Sequence, residues 1–185
     1  MHPSLATRFW PRAADSLLAQ LVLVVAGSLL LVASAKVQVP FWPVPMTMQT
    51  FVVLGLGAAY GARLGGLTVA TYLAQGAVGL PVFAAGGGIA MLAGPTGGYL
   101  LGFLAAAVFV GALADRGWCR TRGSTALAFF AGTAVIFTLG VAWLTVLFGF
   151  STAITAGILP FVTSEAVKIA LAVAVFPLAW KLAKD

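Results

Sequence analysis

From Ser16 to Ala35 the chain runs 20 residues without a charged side chain, and this stretch limits what it can fold into more than anything else in the sequence. A helix rises about 1.5 Å per residue, so such a run is about 30 Å long, the thickness of a bilayer's hydrocarbon core. It follows Arg8, Arg12 and Asp15 and is too long for the apolar region of a cleavable signal. The reading is a first transmembrane helix at about 15–35, with Asp15 or Ser16 as its N-cap.

The pattern recurs along the chain. Further apolar runs predict helices at about 48–60, 64–77, 96–114, 125–148 and 161–179. The first connection holds Pro40, Pro43 and Pro45, spaced so that no helix continues through them, and its Phe41 and Trp42 suit an interfacial belt. The second and third helices are short for a full span, so at least one is expected to be tilted, broken or supported by neighbours. The uncharged, glycine-dense segment from Gly79 to Gly98 reads as irregular, and a Gly/Ser/Thr-bearing turn is expected before Pro160. The expected fold is therefore all-α: a polytopic integral membrane protein, a bundle of six transmembrane helices in one membrane domain over residues 1–185. With 8% charged residues against 62% hydrophobic, the chain cannot wet a globular surface, which takes about 25% charge.

Charge placement excludes some functions and suggests an orientation. The formal net charge is +6, yet the basic residues sit at the ends of apolar runs and form no stripe with interleaved aromatics, so nucleic acid is not a partner; the lipid bilayer is. If six helices start from a cytoplasmic N-terminus, then Arg8, Arg12, Arg63, Arg116, Arg120, Arg122, Lys181 and Lys184 fall inside and Lys36 falls outside. That asymmetry is the positive-inside pattern and predicts both termini in the cytoplasm. Cys119 is the single cysteine, and His2 is a single histidine at the start of the chain, read as having no role. No metal-ligand cluster, HExxH or Ser/His/Asp set is present, Asp15, Asp115 and Asp185 lie at helix ends, and no cofactor is called for.

Glu165 and Lys168 stand out. They share one face of an apolar helix, three residues apart, where an unpaired charge is costly; such residues face the bundle interior and pair or bind something. A plain salt bridge between helices is the competing reading. Thr47, Gln49, Tyr72 and Gln75 lie near the same predicted ends of helices two and three, and with the aromatics Trp42, Phe83 and Tyr99 they outline a pocket between helices. The GPTGG run lacks the Lys-Ser/Thr of a phosphate loop. Its Gly94 and Thr96 either bring backbone close to a ligand or serve helix packing, and both readings stay open. A channel would need a polar line through several helices, whereas here polarity gathers at one set of ends.

The runs PVPMTMQT, YLAQGAVGLPVFAAGGG, GPTGGYLLGF and PFVTSEAVK, in this order over nearly the whole chain, resemble the BioY family. Its members are the biotin-specific substrate-binding (S) components of energy-coupling factor vitamin transporters. The resemblance implies six transmembrane helices, an outward pocket capped by the first long loop, and biotin as the transported ligand. It implies a cytoplasmic membrane of a bacterium or archaeon, and no catalysis. The family carries an aspartate and a lysine three residues apart in the sixth helix; here they are Glu165 and Lys168, the acid one methylene longer. Gln75 looks like the counterpart of a further polar ligand contact. Members dock a transmembrane coupling subunit and an ATPase pair through small residues four apart in the first helix; this chain spaces them by seven instead, at Ala19, Ala26 and Ala33. An S component for another vitamin, or a membrane-embedded enzyme, is the alternative.

Overall fold

The computed structural model describes residues 4–183, so His2, Lys184 and Asp185 lie outside the described residues. A short α1 (Leu5–Phe9) and a 3-10 turn (Pro11–Ala13) lead into α2 (Leu17–Lys36). Of the two N-caps expected, Ser16 does the capping: its hydroxyl accepts from the Ala19 amide. The proline-rich connection contains a small ladder, β1 (Gln38–Val39) antiparallel to β2 (Met46–Thr47), in place of the plain loop expected.

Helix α3 (Gln49–Ala77) is one stretch in name and two in geometry. Gly61 has φ +80° and ψ 177°, outside helical space, and the chain reverses there. Gln49 and Tyr72 are 23 positions apart, a distance of about 34 Å in a straight helix. Their side chains instead hydrogen bond at 2.7 Å. A Cβ on Gly65 would stand 3.0 Å from the Gly57 Cα, so glycines let the two arms touch. The Asp115 carboxylate accepts from the Ala62 amide at 3.1 Å and caps the returning arm.

A short helix α4 (Ile89–Ala93) interrupts the segment expected to be irregular throughout, and α5 (Gly97–Asp115) and α6 (Arg122–Phe148) follow. A Thr121–Ser124 capping box starts α6 three residues earlier than expected. The expected Gly/Ser/Thr turn is instead a helix, α7 (Phe150–Gly157), set off from α6 by Gly149 at φ +82°, and α8 (Val162–Leu182) completes the bundle. Gly98 and Gly102 bring α5 against α6: a Cβ on Gly98 would collide with Trp143, and one on Gly102 would lie 2.9 Å from the Ile136 Cα. Five helical stretches among the described residues are long and apolar enough to cross a membrane: Leu17–Lys36, Gln49–Ala77, Gly97–Asp115, Arg122–Phe148 and Phe150–Leu182. The fold is thus mostly helical.

The bundle has two unlike ends. At one, Asp115 meets Ala62, and the Arg120 guanidinium lies 4.5 Å over the Trp180 ring, so the basic residues around both α3 arms, α5, α6 and the end of α8 gather there. At the other end lie the β1–β2 hairpin, the loop around Phe83 and the polar site.

Candidate functional site

Glu165 and Lys168 sit one turn apart at the start of α8, only 6% and 7% exposed. The Lys168 ammonium donates to Glu165 Oε1 at 2.6 Å, to Thr50 Oγ1 at 2.9 Å and to the Thr47 carbonyl at 2.7 Å. Its three N–H groups are all satisfied, which is what makes a buried charge tolerable. The Thr50 hydroxyl in turn donates to Glu165 Oε1 at 2.9 Å. Thr47, in β2, through its carbonyl and Thr50, in the first turn of α3, through its hydroxyl therefore meet the α8 pair together. Thr50 is absent from the residues singled out in the sequence, and no spacing along the chain points to it.

Beside this cluster, Gln49 is fixed from both sides. Thr47 Oγ1 donates to Gln49 Oε1 at 3.2 Å, and Gln49 Nε2 donates to the Tyr72 hydroxyl at 2.7 Å, which donates to the Val82 carbonyl at 3.1 Å. Tyr72 therefore stands behind the wall and orients Gln49. Its ring meets Phe83 edge-on at 5.5 Å, and Phe83 lies over Gly76, where any side chain would collide with it. Across the chamber, the Tyr99 hydroxyl donates to the Gly157 carbonyl at 2.7 Å, and Phe137 and Phe161 pack on its ring.

These groups line a small chamber of about 50 Å³ that includes Val44, Thr47, Gln49, Thr50, Phe83, Thr96, Tyr99, Phe161, Glu165 and Lys168. Its lining combines these polar groups with the rings of Phe83, Tyr99, Phe103, Phe137 and Phe161. A larger groove of about 350 Å³ lies behind Glu165 between α6 and α8, but its lining is almost wholly apolar.

The structure brings Thr47, Gln49, Phe83, Thr96, Tyr99, Glu165 and Lys168 together at the chamber, with Tyr72 directly behind. Three candidates lie elsewhere. Gln75 Oε1 accepts from the Ser28 hydroxyl at 2.7 Å and ties α3 to α2 instead of lining the chamber. Gly94 lends its carbonyl to Trp143 Nε1 at 2.9 Å, so here the glycine run packs helices. Trp42 sits at the rim, 72% exposed, edge-on to Phe148 at 5.8 Å. Of the small residues in α2, Ala19 is buried whereas Ala26 and Ala33 are exposed. Gly27, Ser28, Ser34 and Ala35 fill the inner face of that helix.

A helical bundle with membrane-span candidates that encloses a small chamber lined by aromatic rings and a buried ion pair defines a class: a polytopic membrane protein with a polar interior site. A family model, that of the BioY family, matches residues 6–185, and the chain belongs to that family. It is 42% identical to the "Probable biotin transporter BioY" of Pyrococcus horikoshii over 75% of this chain and 82% of that one. It is 40% identical to the "Biotin transporter BioY" of Thermotoga maritima over 77% and 85%. A solved structure, that of the S-component for biotin from an ECF-type ABC transporter, shares the fold with TM-score 0.74 and 22% identity, covering 89% of this chain and 92% of that one. The protein is accordingly a multi-pass membrane protein.

Proposed function

We propose that this chain captures biotin from outside the cell as the substrate-binding subunit of an energy-coupling factor transporter. Its family and its relatives, named biotin transporters, support a transport role and not an enzymatic one. The observation that carries the reading is the buried Glu165–Lys168–Thr50 cluster beneath the β1–β2 hairpin. Biotin offers a carboxylate, a ureido ring with N–H donors and an apolar thiophane ring. Lys168 pairs with the carboxylate, exchanging one of its three present acceptors for it, and Glu165 accepts from the ureido or orients the lysine. Gln49 adds an amide beside them, and Phe83, Tyr99 and Phe161 supply the apolar wall. Gln75 and Gly94 support these walls through Ser28 and Trp143.

Taking the two arms of α3 as separate crossings gives six spans: α2, the arms of α3, α5, α6 and α8. An even number leaves both termini on one side, and the basic end is then the cytoplasmic one in a bacterial or archaeal membrane. The chamber accordingly opens outward. ATP chemistry falls to partners, since the chain has no Walker motif. A transmembrane coupling subunit with its ATPase pair docks on α2, where Ala26 and Ala33 are exposed.

Isothermal titration with a panel of vitamins tests the reading. Biotin binds stoichiometrically and is retained unchanged, and Lys168→Ala weakens it by about 100-fold, as loss of one member of a buried charge pair should. Unchanged affinity in that variant would remove Lys168 from the site, and preference for another vitamin would redirect the assignment of substrate.

A further inference from the structure

The chamber of about 50 Å³ has room for a few waters, whereas sites for small organic molecules run to hundreds of Å³. A ligand of that size enters only if part of the lining moves. Two segments form the cover. One is residues 37–48, closed on itself by the β1–β2 ladder and by the Met48 amide donating to the Val37 carbonyl at 3.1 Å. The other is the loop from Gly79 to Gly88, which carries Phe83 into the chamber wall. It turns on itself through the Phe83–Gly86 bridge, with Gly79, Gly86 and Gly88 all at positive φ.

The Phe83 loop is tied to the end of α2, where the hairpin begins. Lys36, the last residue of α2, would by position complement that helix's C-terminal dipole. Its ammonium instead reaches a loop 45 and 47 positions away, donating to the Pro81 carbonyl at 3.0 Å and to the Phe83 carbonyl at 2.9 Å. Gln38, two residues on, adds a longer bond from Nε2 to the Ala84 carbonyl at 3.4 Å. No carboxylate takes part, and Lys36 is exposed, so water can replace these bonds one at a time. That suits a catch that must hold and release. Elsewhere the hairpin is held by the Lys168 bond to the Thr47 carbonyl at 2.7 Å and by two aromatic contacts, Phe41 edge-on to Phe161 at 6.5 Å and Trp42 on Phe148.

We propose that Lys36 is a positioning residue that latches the Phe83 loop to the end of α2, at the root of the hairpin, and so sets how fast ligand enters and leaves the chamber, while Glu165 and Lys168 set how tightly it is held. The proposal rests on the chamber being the biotin site. Opening breaks both Lys36 bonds, frees the loop's carbonyls to water and lets Phe83 withdraw. The latch is not a ligand contact, so removing it lowers the barrier for passage in both directions.

The test measures biotin association and dissociation separately, by stopped flow on the purified full chain. Lys36→Met keeps the stem and loses the donors; both rates rise about tenfold with the dissociation constant moving less than about threefold, and Lys36→Arg restores slow exchange. A merely structural lysine would lower affinity and melting temperature without accelerating association. As a second route, Gln38→Cys with Ala84→Cys fastens the same loop covalently to the root of the hairpin: the oxidised protein exchanges biotin far more slowly than the reduced one. Rates in Lys36→Met within about twofold of the parent, or equal exchange in the oxidised and reduced pair, overturn the latch. Lys168→Ala is run alongside; if it leaves affinity unchanged, the chamber reading fails, and that failure is distinct from the failure of the latch.

Discussion

Lys168 keeps a charge at a depth where a bare ammonium would be costly, and it does so by giving all three protons to protein acceptors. The arrangement makes its partner vulnerable. Lys168→Met leaves the Glu165 carboxylate buried with Thr50 alone and should cost about 3–5 kcal/mol, whereas adding Glu165→Gln should recover much of that loss. Thermal unfolding in mild detergent compares the two. At the opposite end, Cys119 is fully buried in the loop between α5 and α6, and burial pushes its thiol up to about 12 from an ordinary 9.0. Because the thiolate is the reactive form, a maleimide at pH 8 should label the folded protein far more slowly than the unfolded chain. The stability gained from keeping the thiol neutral is fully present below pH 9.0 and is lost as pH rises toward about 12.

Among the elements, α3 best separates what a pattern reveals from what it hides. Two short apolar runs, divided near Gly61 and Arg63, are legible as two helices at 48–60 and 64–77. The unbroken helical run from Gln49 to Ala77 conceals a reversal that only Gly61 permits, since its φ of +80° favours glycine. Gly61→Ala adds both that strain and a collision with the Asp115 carboxylate, so about 1–3 kcal/mol of stability should be lost. Asp115→Asn keeps an oxygen for the Ala62 amide and should cost much less; the melting temperatures of the two variants decide. The glycine run at 94–98 is compatible, as a pattern, with ligand approach and with packing alike. In the structure Gly97 packs against the Leu92 carbonyl and Gly98 against Trp143 and the Leu139 carbonyl, while Thr96 reaches the chamber. Periodicity cannot separate these roles, because both require a missing side chain. Helix α7 escapes the pattern for a related reason: its Ser, Thr and Gly content reads as a turn, and packing against α6 overrides that preference.

For the whole molecule, the asymmetry of charge has a spatial counterpart. The basic loops collect where Asp115 meets Ala62 and Arg120 meets Trp180, and the polar chamber lies at the other end. A C-terminal green fluorescent protein fusion should therefore fluoresce in cells, and an alkaline phosphatase fusion at the same point should be inactive. The reverse result would turn the chamber toward the cytoplasm and deprive the uptake reading of its geometry. The outer faces of α2, α6 and α8 are rich in exposed apolar side chains, which is why burial alone would misread this bundle: in a membrane protein exposed leucines are in their proper solvent.

The membrane, the apolar runs and the placement of Glu165 and Lys168 on one inward helix face were determined by the sequence alone, because they depend on what each residue can tolerate in hydrocarbon, a property local to a few turns of helix; that the two pair with each other within α8, and not across to a neighbouring helix, was not. The tertiary structure decided which polar groups meet. Thr50 joins Glu165 from 115 positions away, Gln75 turns to Ser28, and Lys36 crosses to the carbonyls of Pro81 and Phe83. Such pairings depend on how helices are placed against one another, and no spacing along the chain encodes them. The opening stretch from Ser16 to Ala35 shows the division: its length declared a membrane span, and only the fold revealed that Lys36, at its end, donates to the carbonyls of Pro81 and Phe83.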